Sequence, residues 1–378
     1  MRRQLGLLAI VCLLVLTGCA QAAPPSARAG GVLKIGFAGP QTGEQAEFGK
    51  LTVQAVLLAV DEWNARGGIN GTPIQLMVED DQGDPKQTVV VAQKLIDQGI
   101  VAMIGPGNSG TFIPASLVFN AHKIPEIGTA VSNPIITERG LKYVVRINPR
   151  DDALMPYAAD YLFNKRGIKS AAILHDKTAY GEGSATQFRD EFQRLGGNVL
   201  LFEGTNYGDT DFTGVLTKIK GLKPQTLVCG CNHNHSGYVV LQAKQLGIDT
   251  LYMIGDSGIG FDQVAGDAKT GVLTVQSPGP LELADSAIFA ENYEQKWNSP
   301  PDFYSHMYYA GAQLLFSALR DTGTDADKVM KYLHNLTGFA SAFGPIEFNA
   351  KGDNIKAEIN MYEIPPEGYP YKAIDHKL

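Results

Sequence analysis

The sequence predicts an α/β protein of two doubly wound parallel-sheet lobes behind a short export leader. Three observations carry that prediction. From Leu33 onward, apolar runs alternate with stretches of helical period, the rhythm of parallel strands covered by helices on both faces. The turns between them are rich in glycine, proline and aspartate, which stop and start helices. The roughly 345 residues after the leader exceed one comfortable hydrophobic core, so the chain divides.

In the first set, residues 33–38 read as a strand and 48–65 as a helix. Its apolar positions Val53, Val56, Leu57 and Val60 share a face, and Gly67 and Gly68 end it. Strand 74–78 follows, then a helix through residue 96 that Asp84 caps and Pro85 opens. Strand 101–104, helix 111–122 and strands 124–127 and 143–147 complete the set. The second set runs helix 153–165, strand 171–174, helix 183–195, strand 198–202, helix 212–219, strand 226–229, helix 236–246 and strands 251–254 and 272–275. Helices 286–297, 304–320 and 325–336 come next, then strands 345–348 and 357–363. The first set leaves one sheet face partly bare, so the late helices are expected to return and cover it. The expected organisation is a signal peptide at 1–18, a tether at 19–31, lobe 1 from 32–150 plus 280–352, and lobe 2 from 151–279 plus 353–378, with three crossings between lobes.

Arg2 and Arg3 precede an apolar run from residue 5 to 16, the charged and apolar regions of a secretory signal and too short to span a bilayer stably. The run ends Leu16-Thr17-Gly18-Cys19, which resembles the bacterial lipobox and implies a lipid-modified Cys19 anchored to a membrane. Residues 20–31 are small, polar and proline-bearing, the composition of a flexible tether. Removing Arg2 and Arg3 takes Lys+Arg from 32 to 30 against 39 Asp+Glu, a formal −9, which excludes nucleic acid and anionic lipid as partners. Cys229 and Cys231 then remain. On one strand they point to the same face about two pleats apart, too awkward for an unstrained disulfide, so they are expected to be free and buried.

The stretch 101–132 places a strand, a glycine-rich turn (Gly105-Pro106-Gly107-Asn108-Ser109-Gly110), a helix, a second strand and a second hydroxyl-bearing turn ending at Ser132. Turns at the carboxyl ends of parallel strands border the ligand crevice of open sheets. A helix starting there offers free N–H groups and a positive dipole end, so Ser109 and Ser132 are expected to hold a ligand's carboxylate without arginine or lysine.

Three motifs invite other readings. The glycine turn satisfies G-x-G-x-x-G, but it follows the third strand rather than the first. Gly255-Asp256-Ser257-Gly258 echoes a serine-protease nucleophile, yet it sits in an alternating α/β chain and lacks the second glycine of a nucleophile elbow. Cys229, Cys231, His233 and His235 alternate, but one straight strand spreads them over roughly 20 Å, too far for one ion. The histidines are therefore expected on a loop at the cleft rim. Trp297, Tyr304, Tyr308 and Tyr309 recur at helical spacing and read as packing.

Leu33-Lys34-Ile35-Gly36, Asn64 to Gly71 (NARGGING), Asp80-Asp81 with Asp84-Pro85, and His175-Asp176-Lys177 with Tyr180-Gly181-Glu182-Gly183 resemble the leucine/isoleucine/valine-binding type of periplasmic binding protein. The resemblance runs from about Leu33 to the end of the chain. It implies a type I fold with a three-segment hinge and an extracytoplasmic, monomeric receptor without cofactor or catalysis. Such a receptor delivers a small amino acid, aliphatic by preference, to the permease of an ABC transporter. It puts Ser109, Ala130 and Ser132 on the ligand's carboxylate and amino groups, Tyr180 on the second lobe, and Asp256 on the ammonium. Phe48 would wall the side-chain pocket. Asn232 stands where an aromatic is common, which keeps amides, urea and aromatic acids open as ligands. Gly83 and Asn108 replace the cysteines that some members bridge.

Overall fold

The computed structural model describes residues 31–377. Strands β1 (Leu33–Gly39), β2 (Ile74–Asp80), β3 (Ala102–Ile104), β4 (Glu126–Gly128) and β5 (Val144–Arg146) form an all-parallel sheet in the order β2-β1-β3-β4-β5. Helices α1 (Ala46–Ala65), α2 (Pro85–Asp97), α3 (Ser109–Ala121) and the short α4 (Ile135–Glu138) connect them. The second sheet is built from β6 (Ser170–His175), β7 (Asn198–Gly204), β8 (Thr226–Gly230), β9 (Leu251–Ile254), β10 (Leu273–Gln276), β11 (Asn360–Glu363) and β12 (Lys372–His376). Its order is β12-β11-β10-β9-β8-β6-β7, parallel from β7 to β10 and antiparallel beyond. Helices α5 (Asp151–Asp160), α6 (Ala179–Arg194), α7 (Thr213–Leu222), α8 (His233–Gln245) and α9 (Ile259–Ala265) belong with it.

Local chemistry sets the helix starts. Asp84 accepts from Lys86 N (2.6 Å) and Gln87 N (2.9 Å) with Pro85 in the first turn, so α2 begins where its sequence caps it. Asn108 Oδ1 takes Thr111 N at 3.0 Å to cap α3, and Thr178 Oγ1 takes Gly181 N at 2.9 Å to cap α6. Helices α10 (Ala287–Trp297), α11 (Ser305–Thr322) and α12 (Ala326–His334) return to the first sheet, as the bare face required. Leu315 and Phe316 of α11 join Phe37, Ile104 and Val145 of the strands and Val56 of α1 in one core.

The chain passes between the sheets three times, and two passes are tied together. Arg146, fully buried, bonds through Nη2 to Asp353 and to Thr137 Oγ1 (3.1 Å), and through Nη1 to Asn133 O (2.8 Å). Arg150 meets the second Asp353 oxygen at 3.0 Å. Buried charges persist only when paired and hydrogen-bonded in this way.

Some expectations are corrected. Residues 345–348 form isolated bridges (Phe339 to Ile346, Phe348 to Asn354) rather than a strand, and β12 carries no strand signal that stood out in the sequence. Cys229 and Cys231 are not free: a disulfide joins them. The expectation assumed one continuous strand, in which two residues span about 6.6 Å. Here β8 stops at Gly230 and the chain turns, which brings the Cα atoms from the far edge of the bridging range to 5.3 Å, close to the usual separation of a bridged pair. The same turn breaks the Cys/His alternation. His233 and His235 lie on α8 rather than a loop, His235 Nε2 is 2.8 Å from Thr205 Oγ1, and no group of three or more His, Cys, Asp or Glu among the described residues is placed to hold a metal ion. The leader, Cys19 and most of the tether lie outside the described residues.

Candidate functional site

The carboxyl ends of both sheets' strands face one cleft, where ligands bind in open α/β sheets. From the first lobe it is lined by Phe48 of α1, Ser109 at the start of α3, Ala130 and Ser132 after β4, and Tyr304 before α11. From the second come Tyr180 of α6, Asn232 and His233 at the start of α8, Asp256 after β9, and Gln276 ending β10. Asp151, the first residue of α5, lies at the junction of the two. All seven residues singled out in the sequence therefore line a common cavity.

The first-lobe end is built from two interlocked turns. Ser109 Oγ accepts from Ser132 N (3.3 Å) and Asn133 N (3.2 Å), so the α3 start and the turn after β4 hold each other in place. With its lone pairs engaged, the Ser109 hydroxyl proton is available to a ligand oxygen. The approach is open because of glycine: a Cβ on Gly107 would come within 3.0 Å of the Phe48 ring, and Gly105 holds a φ of +90°. Among the described residues, no lysine or arginine lines the cavity. An anion there relies on hydroxyls, peptide N–H groups and the α3 dipole.

The opposite end is acidic. Asp256 Oδ1 accepts from the Tyr304 hydroxyl at 2.5 Å, and Oδ2 lies 3.3 Å from His233 Nδ1. Burial alone would lower the His233 pKa, but the Asp256 carboxylate outweighs it and raises the imidazole above its ordinary value. A second acid, Asp151, sits at the lobe junction beside Ser132, whose carbonyl accepts from Asp151 N at 2.8 Å; it is 1% exposed and its Oδ2 has no hydrogen-bond partner among the described residues. Burial pushes its carboxyl up to about 7, opposed by the Ser132 hydroxyl and the Arg146 charge. Burial also pushes the Tyr180 phenol well up.

Polar contacts across the cleft define a closed arrangement. Gln45 Nε2 donates to Asn232 Oδ1 (3.2 Å), Asn234 Nδ2 to Glu44 O (2.7 Å), and Asn133 Nδ2 to Ala179 O (2.6 Å). The Phe48 ring lies 5.4 Å from the His233 ring. Asn232 is itself held by Asp176 Oδ2, which accepts its backbone N (2.8 Å) and its Nδ2 (2.6 Å), so its amide serves the α8 turn and lobe closure.

Sequence reasoning missed Tyr304, which read as packing, Asp151, which read as part of a crossing, and Gln276, while His233 was expected at the cleft rim on a loop. For Asp151 a signal existed: an acidic pair just after a strand at the sheet's carboxyl end, where the crevice lies.

A family model described as periplasmic binding protein matches residues 32–368. The Leu/Ile/Val-binding protein homolog 2 of Brucella abortus is 33% identical over 334 residues, covering 88% of this chain and 90% of its own. Among solved structures, the branched-chain amino acid transporter substrate binding protein LivJ from Streptococcus pneumoniae, in complex with isoleucine, superposes with a TM-score of 0.82 at 24% identity, covering 91% of this chain and 99% of its own. A solute binding protein of an ABC transporter from Rhodopseudomonas palustris BisB5, in complex with 3,4-dihydroxy benzoic acid, gives 0.80 at 25% identity over 92% and 97%.

Proposed function

The chain belongs to the periplasmic binding protein family, and on that premise we propose that it is the extracytoplasmic receptor of an ABC importer, closing two lobes on a small aliphatic amino acid. The observation that carries the reading is the polarity of one closed cleft: a hydroxyl and peptide cradle without cations on the first lobe, the Asp256 carboxylate facing it from the second, and the buried Asp151 beside Ser132 at the junction. Ser109, Ser132 and the Ala130 turn bind the carboxylate. Asp256 receives the ammonium from the second lobe, and the unpartnered Asp151 Oδ2 receives it from the lobe junction. An ammonium shut away from water needs such acceptors, because its burial is otherwise prohibitive. Phe48, Leu154 and Val275 supply apolar wall for the side chain, and Tyr180 closes the pocket from the second lobe.

Closure follows from contacts made to both lobes, since a ligand shifts the hinge equilibrium only by its differential affinity for the closed state. The lobes comprise 32–150 with 280–352 and 151–279 with 353–378. A signal peptide and a lipid on Cys19 would keep the receptor at the membrane beside its permease. An aromatic acid is the second reading, because the Rhodopseudomonas palustris protein holds one. It leaves Asp151 and Asp256 facing a ligand without a cation, so the amino acid is favoured. Calorimetric titration with aliphatic amino acids, small amides, urea and benzoates tests the choice. One-to-one saturable binding of an aliphatic amino acid is expected; binding of benzoates or amides with no amino acid bound overturns it.

A further inference from the structure

Gln276 lines the cleft, is 5% exposed, and neither its Oε1 nor its Nε2 has a hydrogen-bond partner among the described residues. The parallel register of β9 and β10 pairs Thr274 with Ile254, so two residues on, Gln276 stands one strand over from Asp256. Two nearby polar groups are committed elsewhere. Tyr304 gives its hydroxyl to Asp256, and Asn360, opposite Gln276 on β11, gives Nδ2 to Tyr362 (3.1 Å) while its Oδ1 is 2.8 Å from His376 Nδ1. Buried amides are hydrogen-bonded in folded proteins, and one left without partners on the wall of a ligand cleft is placed to bond what the cleft takes up. The neighbouring wall is apolar, from Val275 and Leu154.

We propose that Gln276 reads the ligand's side chain, so the favoured cargo is a small amino acid carrying a neutral hydroxyl or carboxamide on an otherwise aliphatic body. This rests on the amino-acid reading above and refines it. A site that presents a buried amide penalises a ligand that leaves it unpaired, and discrimination by a lost hydrogen bond exceeds discrimination by a methylene.

The test is calorimetric titration of the purified protein with two near-isosteric pairs, threonine against valine and asparagine against leucine, repeated with Gln276→Met. The polar member of at least one pair is expected to bind roughly tenfold or more tightly in the wild type, with that ratio collapsing in the variant. Equal or tighter binding of valine and leucine in the wild type overturns the inference, as does a ratio that Gln276→Met leaves unchanged. The ligand-free melting temperature of the variant is expected to equal or exceed wild type, since an orphaned amide has been removed; a lower value or failure to fold means that the amide has a structural partner and overturns the role. Binding of none of the four defeats the amino-acid reading itself, a result distinct from binding without discrimination.

Discussion

Replacing Asp256 with asparagine removes a charge while keeping the side chain's shape. The amide oxygen of the substituted side chain would still accept from Tyr304, whose hydroxyl lies 2.5 Å from Oδ1 in the wild type, so the closed cleft keeps its cross-lobe link. What disappears is the negative charge beside His233, 3.3 Å away, that is proposed to face the ligand ammonium. The carboxylate is 13% exposed and therefore weakly screened. Removing one partner of such a desolvated pair costs roughly 2 to 5 kcal/mol, or about 30- to 5000-fold in Kd. The assay is calorimetry with the best amino-acid ligand, alongside a melting curve of the empty variant to show that it folds. A loss below about fivefold, under roughly 1 kcal/mol, refutes the ammonium assignment. The ligand is then an acid without an amine, or Asp151 alone takes the cation.

Ser109→Ala removes both the proposed donor to the carboxylate and the acceptor that pins Ser132 and Asn133, and about 10- to 150-fold weaker binding is expected by the same calorimetry. Asp353→Ala leaves Arg146 buried without its counter-ion, and urea unfolding is expected to show a loss of about 3 to 5 kcal/mol. Burial holds the Asp151 carboxyl at about 7, so the folded empty protein keeps a proton that the unfolded chain gives up at a carboxylate's ordinary pKa. The stability that proton contributes is present at low pH and lost as pH rises through about 7. An ammonium placed against Asp151 drives the proton off, and an ammonium on Asp256 weakens the hold on the His233 proton. Binding near neutral pH is thus expected to release protons, read from calorimetry in buffers of different ionisation enthalpy; net uptake contradicts the assignment.

What was legible in the sequence was what neighbouring residues determine. Asp84-Pro85 starts a helix with its own side chain and ring, and the strand, glycine turn and helix around Ser109 follow from one short segment. The return of α10 to α12 followed from counting uncovered faces. What distance determines was hidden. Alternation of Cys229, Cys231, His233 and His235 imitates a strand, but Asp176, far back in the chain, captures the Asn232 backbone N–H and turns the chain into α8. That turn also brought the disulfide's Cα atoms close to the usual separation of a bridged pair. Tyr304 shares the spacing of packing aromatics, and only the apposed lobes send its hydroxyl to Asp256. Gln276 gave no signal, because an orphaned amide is visible only when every neighbour's bonds are known.

The two-ended grip is tested most directly by offering an amino acid beside its deaminated acid and its decarboxylated amine, with the side chain held constant. Both one-ended analogues are expected to bind at least about a hundredfold more weakly, since each leaves one polar end of the closed cleft unanswered. An analogue that binds as tightly as the intact amino acid contradicts the account.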